Sequence, residues 1–246
     1  MGRKTENGFT IVEVMLFLGV SGLLLVGIMA ATGRAVADAR FTDALKTAES
    51  FLQRQYEDVV NGVNTRDSTQ GCGSTASRPG TGDCYLIGKA IHFDPNTSNV
   101  MTFTVTASGD VNTDDDTITA LGKMVLNSTN VNEEQYELAW GMRFIQGKRT
   151  KTPTPADTVA YLRSPTSSQI ETFVFDGTLN GARTSLTGLG GVVSNSASRG
   201  NSLALCVNSA DGVVNQYLGA LKVSRGQGAA TITSERFTTA QWSAQC

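Results

Sequence analysis

The stretch Asn7-Gly8-Phe9-Thr10-Ile11-Val12-Glu13 opens an apolar run that continues to Gly33. The twenty residues from Val14 to Gly33 include no charged side chain. As a helix rising 1.5 Å per residue they span about 30 Å, the thickness of the hydrocarbon core of a bilayer. Glu13 is the one carboxylate in this block, and a charged side chain inside a membrane costs on the order of 3 kcal/mol. We therefore expect Glu13 to have a cationic partner.

A cut between Gly8 and Phe9 would supply that partner. It would create a new α-amino group about one helical turn from Glu13. This group could pair with the Glu13 of its own chain or with that of a neighbouring chain.

Gly8-Phe9-Thr10-x-x-Glu13, followed by some twenty apolar residues, resembles the processing signature of type IV pilins and of type II secretion pseudopilins. The resemblance implies that a membrane-embedded aspartyl peptidase cuts after Gly8 and N-methylates Phe9. It also implies that Glu13 docks subunits in a type IV pilus-like filament, or fimbrium. A structural role of this kind requires no catalytic residues and no cofactor.

An ordinary signal peptide or a plain membrane anchor is the alternative interpretation of the apolar run. A signal peptide has an apolar region of roughly 7–15 residues before a small-x-small cleavage site. The run here is longer, and cleavage at its far end would leave Glu13 unexplained. These features favour the pilin-like interpretation.

The helix is expected to continue beyond Gly33 to about residue 61. Residues 34–60 contain good helix formers and no proline, and Asn61-Gly62 is a plausible stop. Apolar residues recur there at spacings of 3, 4 and 7, which indicates an amphipathic helix. They are Phe41, Ala44, Leu45, Ala48, Leu52 and Val59.

The resemblance implies a leader over residues 1–8, and together with the periodicity it predicts one long helix over residues 9–61 and a head over residues 62–246. Residues 9–33 would be the transmembrane or filament-core part of the helix and residues 34–61 its amphipathic part. The positive-inside tendency keeps Arg3 and Lys4 cytoplasmic and places the head outside.

The head reads as short strands separated by Gly, Asn, Asp and Pro, which predicts an antiparallel sheet packed against the amphipathic half of the helix. The fold class is therefore α+β, of the type IV pilin-like kind that the resemblance implies. The predicted strands are Tyr85–Phe93, Met101–Ala107, Thr117–Leu126, Tyr136–Ile145, Ile170–Phe175, Ser202–Val207, Gln216–Ser224 and Ala229–Glu235.

Four cysteines lie in the head: Cys72, Cys84, Cys206 and Cys246. None forms a C-x-x-C pair and the chain has a single histidine, His92, so a zinc site is not expected. An exported chain with an even number of cysteines predicts disulfides. Three pairings are open, and proximity in sequence favours Cys72–Cys84 and Cys206–Cys246. The second pair resembles the disulfide-bounded C-terminal region of many type IV pilins.

Two other patterns suggest ligands, and a solvated surface is the favoured interpretation of each. The acidic stretch Asp110–Asp116 places oxygen ligands at alternate positions, yet it lacks the glycine and glutamate that an EF-hand requires. Basic residues gather at Gly147–Lys151 and again at Lys222 and Arg225. Some minor pilins of the H-type bind DNA through such residues, so nucleic acid is an open partner that the sequence does not indicate.

The resemblance implies other pilin subunits, the prepilin peptidase/methyltransferase and an inner-membrane assembly platform as partners. It implies a single-pass inner-membrane precursor, followed by a cell-surface pilus or a periplasmic pseudopilus. A type II secretion pseudopilin and a DNA-binding minor pilin remain alternatives, because all these classes share the first fifty or so residues. The net charge of −2 gives no general argument for binding nucleic acid or anionic lipid.

Overall fold

The computed structural model describes residues 10–63, 84–110, 112, 114–129, 135–149, 155–179, 186–193, 202–209, 217–224 and 230–246. Over these ranges the fold is α+β, with one long helix, two short helices and antiparallel strands. The helices are α1 (Ile11–Val60), α2 (Thr117–Lys123) and α3 (Thr239–Gln245). The strands are β1 (Cys84–Phe93), β2 (Asn99–Ser108), β3 (Val125–Thr129), β4 (Gln135–Glu137), β5 (Met142–Arg149), β6 (Thr158–Arg163), β7 (Ile170–Phe175), β8 (Thr178–Leu179), β9 (Leu186–Thr187), β10 (Leu203–Ser209), β11 (Leu218–Ser224) and β12 (Thr231–Phe237).

The chain divides into two compact units, Met1–Thr42 and Asp43–Cys246, and α1 contributes residues to both. In the first unit, the described residues are the first part of this helix. In the second unit, residues 43–60 of α1 pack against the strands. The division therefore falls inside the helix, whereas the predicted head begins after it.

The end of α1 agrees with the predicted stop. Gly62 adopts φ +65°, a left-handed conformation that glycine reaches without steric cost. Its N–H donates to Val59 O at 3.2 Å, and the N–H of Val63 donates to Asp58 O at 2.9 Å. These two hydrogen bonds form a Schellman motif, which satisfies carbonyls that the end of a helix leaves without partners.

The predicted apolar stripe of α1 is buried: Phe41, Ala44, Leu45, Ala48, Leu52 and Val59 are each no more than 5% exposed. Within the second unit the stripe also includes Gln55, which is completely buried. Phe51 stacks on Tyr136, with ring centroids 4.6 Å apart, and Tyr56 meets Tyr161 edge to face at 5.3 Å. Such aromatic pairs contribute about 0.5–1.5 kcal/mol each beyond their buried area.

The strands form two main sheets rather than the single sheet predicted. The six-stranded sheet has the order β3-β2-β1-β6-β7, with β4 also paired to β2, and the four-stranded sheet has the order β12-β11-β10-β5. The short strands β8 and β9 pair with each other. Phe93 of β1 and Phe144 of β5 meet at 5.2 Å, which links the two main sheets.

Both faces of the six-stranded sheet are buried. On one face, Lys89 and its cross-strand neighbour Tyr161 face α1. The opposite face carries an apolar cluster that includes Phe103, Phe173 and Leu162. Residues of α2, of the β8–β9 hairpin and of the 189–193 turn complete this cluster. The sheet is therefore the middle layer of the second unit.

One predicted strand, Thr117–Leu126, is wrong. The chain forms α2 there and then enters β3. Asp116 is the N-cap of α2, and its side chain accepts a hydrogen bond from the N–H of Thr119 at 2.8 Å. The β-branched run after Asp116 suggested a strand, but the cap satisfies the backbone of a helix instead.

The predicted strand Tyr136–Ile145 is divided in two. A turn at Ala139–Gly141 ends β4 and starts β5, and the chain passes there from one main sheet to the other. The sequence also gave no prediction for α3 or for β6, although β6 pairs with both β1 and β7. Ile170–Phe175 is a strand over the predicted residues.

A disulfide joins Cys206 in β10 to Cys246, with the Cα atoms 5.9 Å apart, as predicted. Between them α3 begins at a capping box formed by Thr238 and Gln241. Cys72 lies outside the described residues, and only the backbone of Cys84 is described. The Cys72–Cys84 pairing therefore stays a prediction.

Replacing Gly88 by alanine, which adds a methyl group, tests how closely β1 approaches β6. The Cβ of Gly88→Ala would collide with the carbonyl oxygen of Tyr161, and overpacking of this kind costs about 1–3 kcal/mol. Thermal unfolding of the full chain in detergent should show a clear loss of stability. Gly122→Ala in α2 is the matched control, because its nearest new neighbour would be Val193 at 3.9 Å. An equal loss in both variants would contradict the close approach.

Candidate functional site

Glu13 lies in the first turn of α1 and is exposed. Its N–H donates to Thr10 Oγ1 at 3.3 Å, and the N–H of Val14 donates to Thr10 O at 3.2 Å. Thr10 thus acts as the N-cap, and a glutamate three residues later matches the capping-box pattern. The positive end of the helix dipole also favours a carboxylate at this position. The helix dipole therefore favours the Glu13 carboxylate at this position, and its role in docking stays a prediction.

The helix surface around and beyond Glu13 is apolar on every side. Ile11, Met15, Phe17 and Leu23 are each at least 70% exposed, and no residue of the apolar window is buried. Among the described residues, α1 is the one helix that is long and apolar enough to cross a membrane. Such a surface must be covered by lipid tails or by other helices.

The two hydroxyl groups of the run from Val14 to Gly33 are satisfied within the helix. Ser21 Oγ donates to Phe17 O at 2.7 Å, and Thr32 Oγ1 donates to Ile28 O at 2.6 Å. A hydroxyl without a partner in an apolar environment is costly, and bonding to the carbonyl four residues earlier avoids that cost. The polar side chains of the run are thus compatible with an environment without water.

Gly8 and Phe9 lie outside the described residues. The cleavage after Gly8 and the methylation of Phe9 therefore stay predictions, as does the pairing of Glu13 with the new amino group.

Lys89 anchors α1 to the six-stranded sheet. The side chain is 6% exposed, and its Nζ donates to Gln55 Oε1 at 2.9 Å and to Asp58 Oδ2 at 2.7 Å. A buried ammonium group needs such partners, because removal of a charge from water costs several kcal/mol. One sign of this contact is visible in the sequence, a lysine in the otherwise apolar stretch Leu86–Ile91. The partners of the lysine could not be identified from it.

His92 belongs to a polar network at the ends of β1, β6 and β7. Its Nδ1 lies 3.0 Å from Thr158 Oγ1 and 3.5 Å from Asp157 Oδ1. Burial raises the pKa of Asp157, but hydrogen bonds from His92, from the N–H of Gly177 and from Thr158 outweigh it and hold the pKa below its ordinary value. Burial and the charge of Asp157 raise the pKa of nearby Asp176.

The acidic stretch does not gather its carboxylates around a common point. Both oxygens of Asp115 lie 2.7 Å from Lys123 Nζ, and the hydrogen bond from Lys123 lowers the pKa of Asp115. Asp116 caps α2. Among the described residues, no group of three His, Cys, Asp or Glu side chains is placed to hold a metal ion.

The structure brings residues of the two basic clusters into one row. Lys148 of β5 and Lys222 of β11 both pair with Ala204 of β10, so they lie on the same face of the four-stranded sheet. Lys222 Nζ donates to Glu235 Oε2 at 2.6 Å, and Lys148 Nζ donates to the carbonyl of Cys246. Lys151 and Arg225 lie outside the described residues. Both described lysines are thus bound within the chain.

Comparisons with family models, with characterised proteins and with solved structures found no match to this chain. The functional proposal therefore depends on the sequence pattern and on the geometry described above.

The contact between Lys89 and Asp58 predicts that substitutions at the two residues destabilise the chain to different extents. Asp58→Ala leaves a buried ammonium without its carboxylate and should destabilise the full chain by about 3 kcal/mol, whereas Lys89→Met removes the charge and should cost less. Denaturant unfolding in detergent measures both variants. Lys46→Met, at a side chain that is 61% exposed and pairs with Glu49, should change stability by less than about 1 kcal/mol. A larger loss for Lys89→Met than for Asp58→Ala would refute the anchor.

The lowered pKa of Asp157 predicts a loss of stability in acid. A carboxyl whose pKa is depressed by folding contributes stability above its unfolded pKa of about 3.9, and this contribution disappears as the pH falls through the folded pKa. The melting temperature should therefore fall below about pH 4. In Asp157→Asn it should be lower at neutral pH and depend less on pH in acid. If the melting temperatures of the wild-type protein and of Asp157→Asn fell in parallel in acid, Asp157 would not contribute to the loss of stability.

Proposed function

We propose that the chain is a structural subunit of a type IV pilus-like filament. The observation that carries the proposal is the character of α1, one helix whose residues 11–33 are apolar and exposed and whose residues 43–60 pack into a folded β-rich unit. A plain anchor needs only the first of these parts. A subunit that assembles through its helix and displays its head needs both.

In this proposal the leader of residues 1–8 is cytoplasmic, α1 crosses the inner membrane and the head lies outside. The prepilin peptidase cuts after Gly8 and methylates Phe9, and the assembly platform moves the subunit from the membrane into the filament. The apolar helices then cover one another in the core of the filament. The Cys206–Cys246 disulfide supports an exported head, since such bonds persist in oxidising compartments.

Glu13 then pairs with the amino group of Phe9 of an adjacent subunit. A buried charge pair of this kind contributes more to register than to stability, because desolvation offsets much of the attraction. Glu13 is the one charge among residues 11–33, so it can specify a single axial position among helices that otherwise present only apolar surface.

A pseudopilin of a type II secretion system would share every one of these features and stays the main alternative. The DNA-binding alternative has less support, because the two lysines placed on one sheet face already bind Glu235 and Cys246. To contact the phosphates of DNA, both lysines would have to break these bonds.

Three substitutions at Glu13 separate the effect of its charge from the effect of its side-chain shape. Glu13→Ala should reduce the filaments sheared from cells by about tenfold or more, because loss of one partner of a buried charge pair costs about 3–5 kcal/mol. Glu13→Gln keeps the shape of the side chain and its match to the capping-box pattern but removes the charge, and it should be equally defective. Glu13→Asp keeps the charge and should retain more filaments.

Intact mass spectrometry of the same samples should show a wild-type subunit that begins at methylated Phe9. Membrane insertion should be equal in all variants. Normal filament yield in Glu13→Gln would show that docking does not need the charge of Glu13. An uncut N-terminus in the wild-type protein would overturn the pilin-like proposal itself.

A further inference from the structure

Three chemically complementary groups meet where α1 packs on β1. Lys89 Nζ lies 2.9 Å from Gln55 Oε1 and 2.7 Å from Asp58 Oδ2. The groups are an amine that can act as a nucleophile, an amide carbonyl that can act as an electrophile, and a carboxylate that can accept and return a proton. An ion pair requires only the amine and the carboxylate, whereas the amide gives the cluster a further chemical capacity.

The fold fixes these groups against one another. Lys89 is held at its base because β1 pairs on both sides, with Thr104 of β2 and with Tyr161 of β6. Gln55 and Asp58 are three residues apart on α1 and therefore lie on the same face of the helix. The three groups meet without a large movement, and such preorganisation makes reactions between fixed groups fast.

The amine is close to the carbon that it would attack. A contact of 2.9 Å between Lys89 Nζ and Gln55 Oε1, with a carbonyl bond of about 1.2 Å, places the nitrogen about 3–4 Å from Gln55 Cδ. Reacting atoms in near-attack conformers are about 3–3.5 Å apart. A small rotation of the glutamine amide group is therefore enough to bring the nitrogen over the carbonyl carbon.

Water has little access to the amide. Gln55 is completely buried, and the side chain of Lys89 is 6% exposed. Tyr161, the cross-strand neighbour of Lys89, is also completely buried and meets Tyr56 edge to face. Exclusion of water protects an amide under attack from hydrolysis. The side chain of Asp58 is 26% exposed, which leaves a way out for a small leaving group.

The lysine must lose a proton before it can attack. Its ammonium group donates a hydrogen bond of 2.7 Å to Asp58 Oδ2. Transfer of one proton across this bond turns the ammonium and the carboxylate into an amine and a carboxylic acid. Because the site has little water, the loss of both charges relieves their desolvation cost. Asp58 then holds the proton that a leaving group requires.

We propose that Lys89 and Gln55 become joined by an isopeptide bond, an amide between two side chains, with Asp58 as the acid–base group. The lone pair of the amine attacks the carbonyl carbon, and the Nζ–Cδ bond forms. The Cδ–Nε2 bond breaks as Asp58 gives its proton to the departing nitrogen and takes one from Nζ. Ammonia leaves, and the reaction needs no oxidant, reductant or co-reactant.

The bond ties α1 covalently to the six-stranded sheet. It joins residues with a sequence separation of 34, and its strand, β1, is paired on both sides. The proposal does not depend on the filament function, because the bond forms within one head whether or not that head is assembled.

Intact mass spectrometry of the full chain tests the bond. The protein is purified in detergent from the membranes of its own cells and is measured before any digestion. Its mass should be lower by one ammonia molecule than the mass calculated from its observed N-terminus and its disulfides. Proteolysis should then give a branched peptide that joins Gln55 to Lys89. The intact mass is needed because a peptide that begins at Gln55 can itself lose ammonia by cyclisation.

Substitutions identify the roles of the three groups. Lys89→Arg keeps a cation but cannot form the bond, and Gln55→Met removes the carbonyl carbon, so both should restore the full calculated mass. Asp58→Asn keeps the shape of the side chain and should slow bond formation by about a hundredfold or more, measured as the cross-linked fraction with time after synthesis. Gln53→Met, at an exposed glutamine of the same helix, is the matched control and should keep the branched peptide.

The wild-type protein alone can overturn the proposal. A mass without the loss of ammonia, together with separate peptides for residues 55 and 89, would show that the cluster is an ion pair only. A branched peptide that joins Lys89 to any other residue would contradict the assignment of Gln55. Cross-linking at the wild-type rate in Asp58→Asn would contradict the role of the carboxylate. None of these results bears on filament assembly, which the substitutions at Glu13 test separately.

Discussion

An α-helix that is apolar on every side cannot remain in water unless other apolar groups surround it. Residues 11–33 of α1 are in this position, because the described part of the chain buries none of the window that could cross a membrane. Every other property of the segment is consistent with the same constraint. Ser21 and Thr32 satisfy their hydroxyls within the helix, and the one charge lies at the end, where the helix dipole favours it.

The second part of the helix differs, because it is buried on one side by its own chain. Residues 43–60 have one buried side, and the contacts there are specific rather than only apolar. Lys89 binds Gln55 and Asp58 from the six-stranded sheet, and Ser234 of β12 donates to Glu49 at 2.6 Å. Polar contacts from both main sheets fix the rotation of the helix about its axis, which apolar packing alone specifies less sharply.

The sequence predicts those parts of the fold that depend on local patterns. The apolar stripe of α1, the stop at Gly62 and the strand Ile170–Phe175 each follow from periodicity or from a single residue type, and the structure confirms them. The pairing of Cys206 with Cys246 followed from proximity in sequence. The processing residues Gly8 and Phe9 and the docking role of Glu13 remain predictions.

Other features were missed, some because one local signal outweighed another and some because they depend on contacts distant in sequence. The stretch Thr117–Leu126 has β-branched residues typical of a strand, but one side-chain bond from Asp116 starts a helix instead. Strand β6 lies between β1 and β7, and its position in the middle of the sheet depends on pairing with β1, which is distant in sequence. Trp140 has φ 61°, and nothing in the stretch Leu138–Met142 indicates that a tryptophan would adopt this conformation.

The disulfide between Cys206 and Cys246 has a mechanical consequence. It closes a segment with a sequence separation of 40, which includes β11, β12 and α3 and would stretch to about 140 Å if it were pulled out. When the chain is pulled across this segment, the disulfide bears the force. The segment therefore cannot extend. A head with this disulfide lengthens little under force. The strands within the disulfide loop stay close together, so they can pair again when the force is removed.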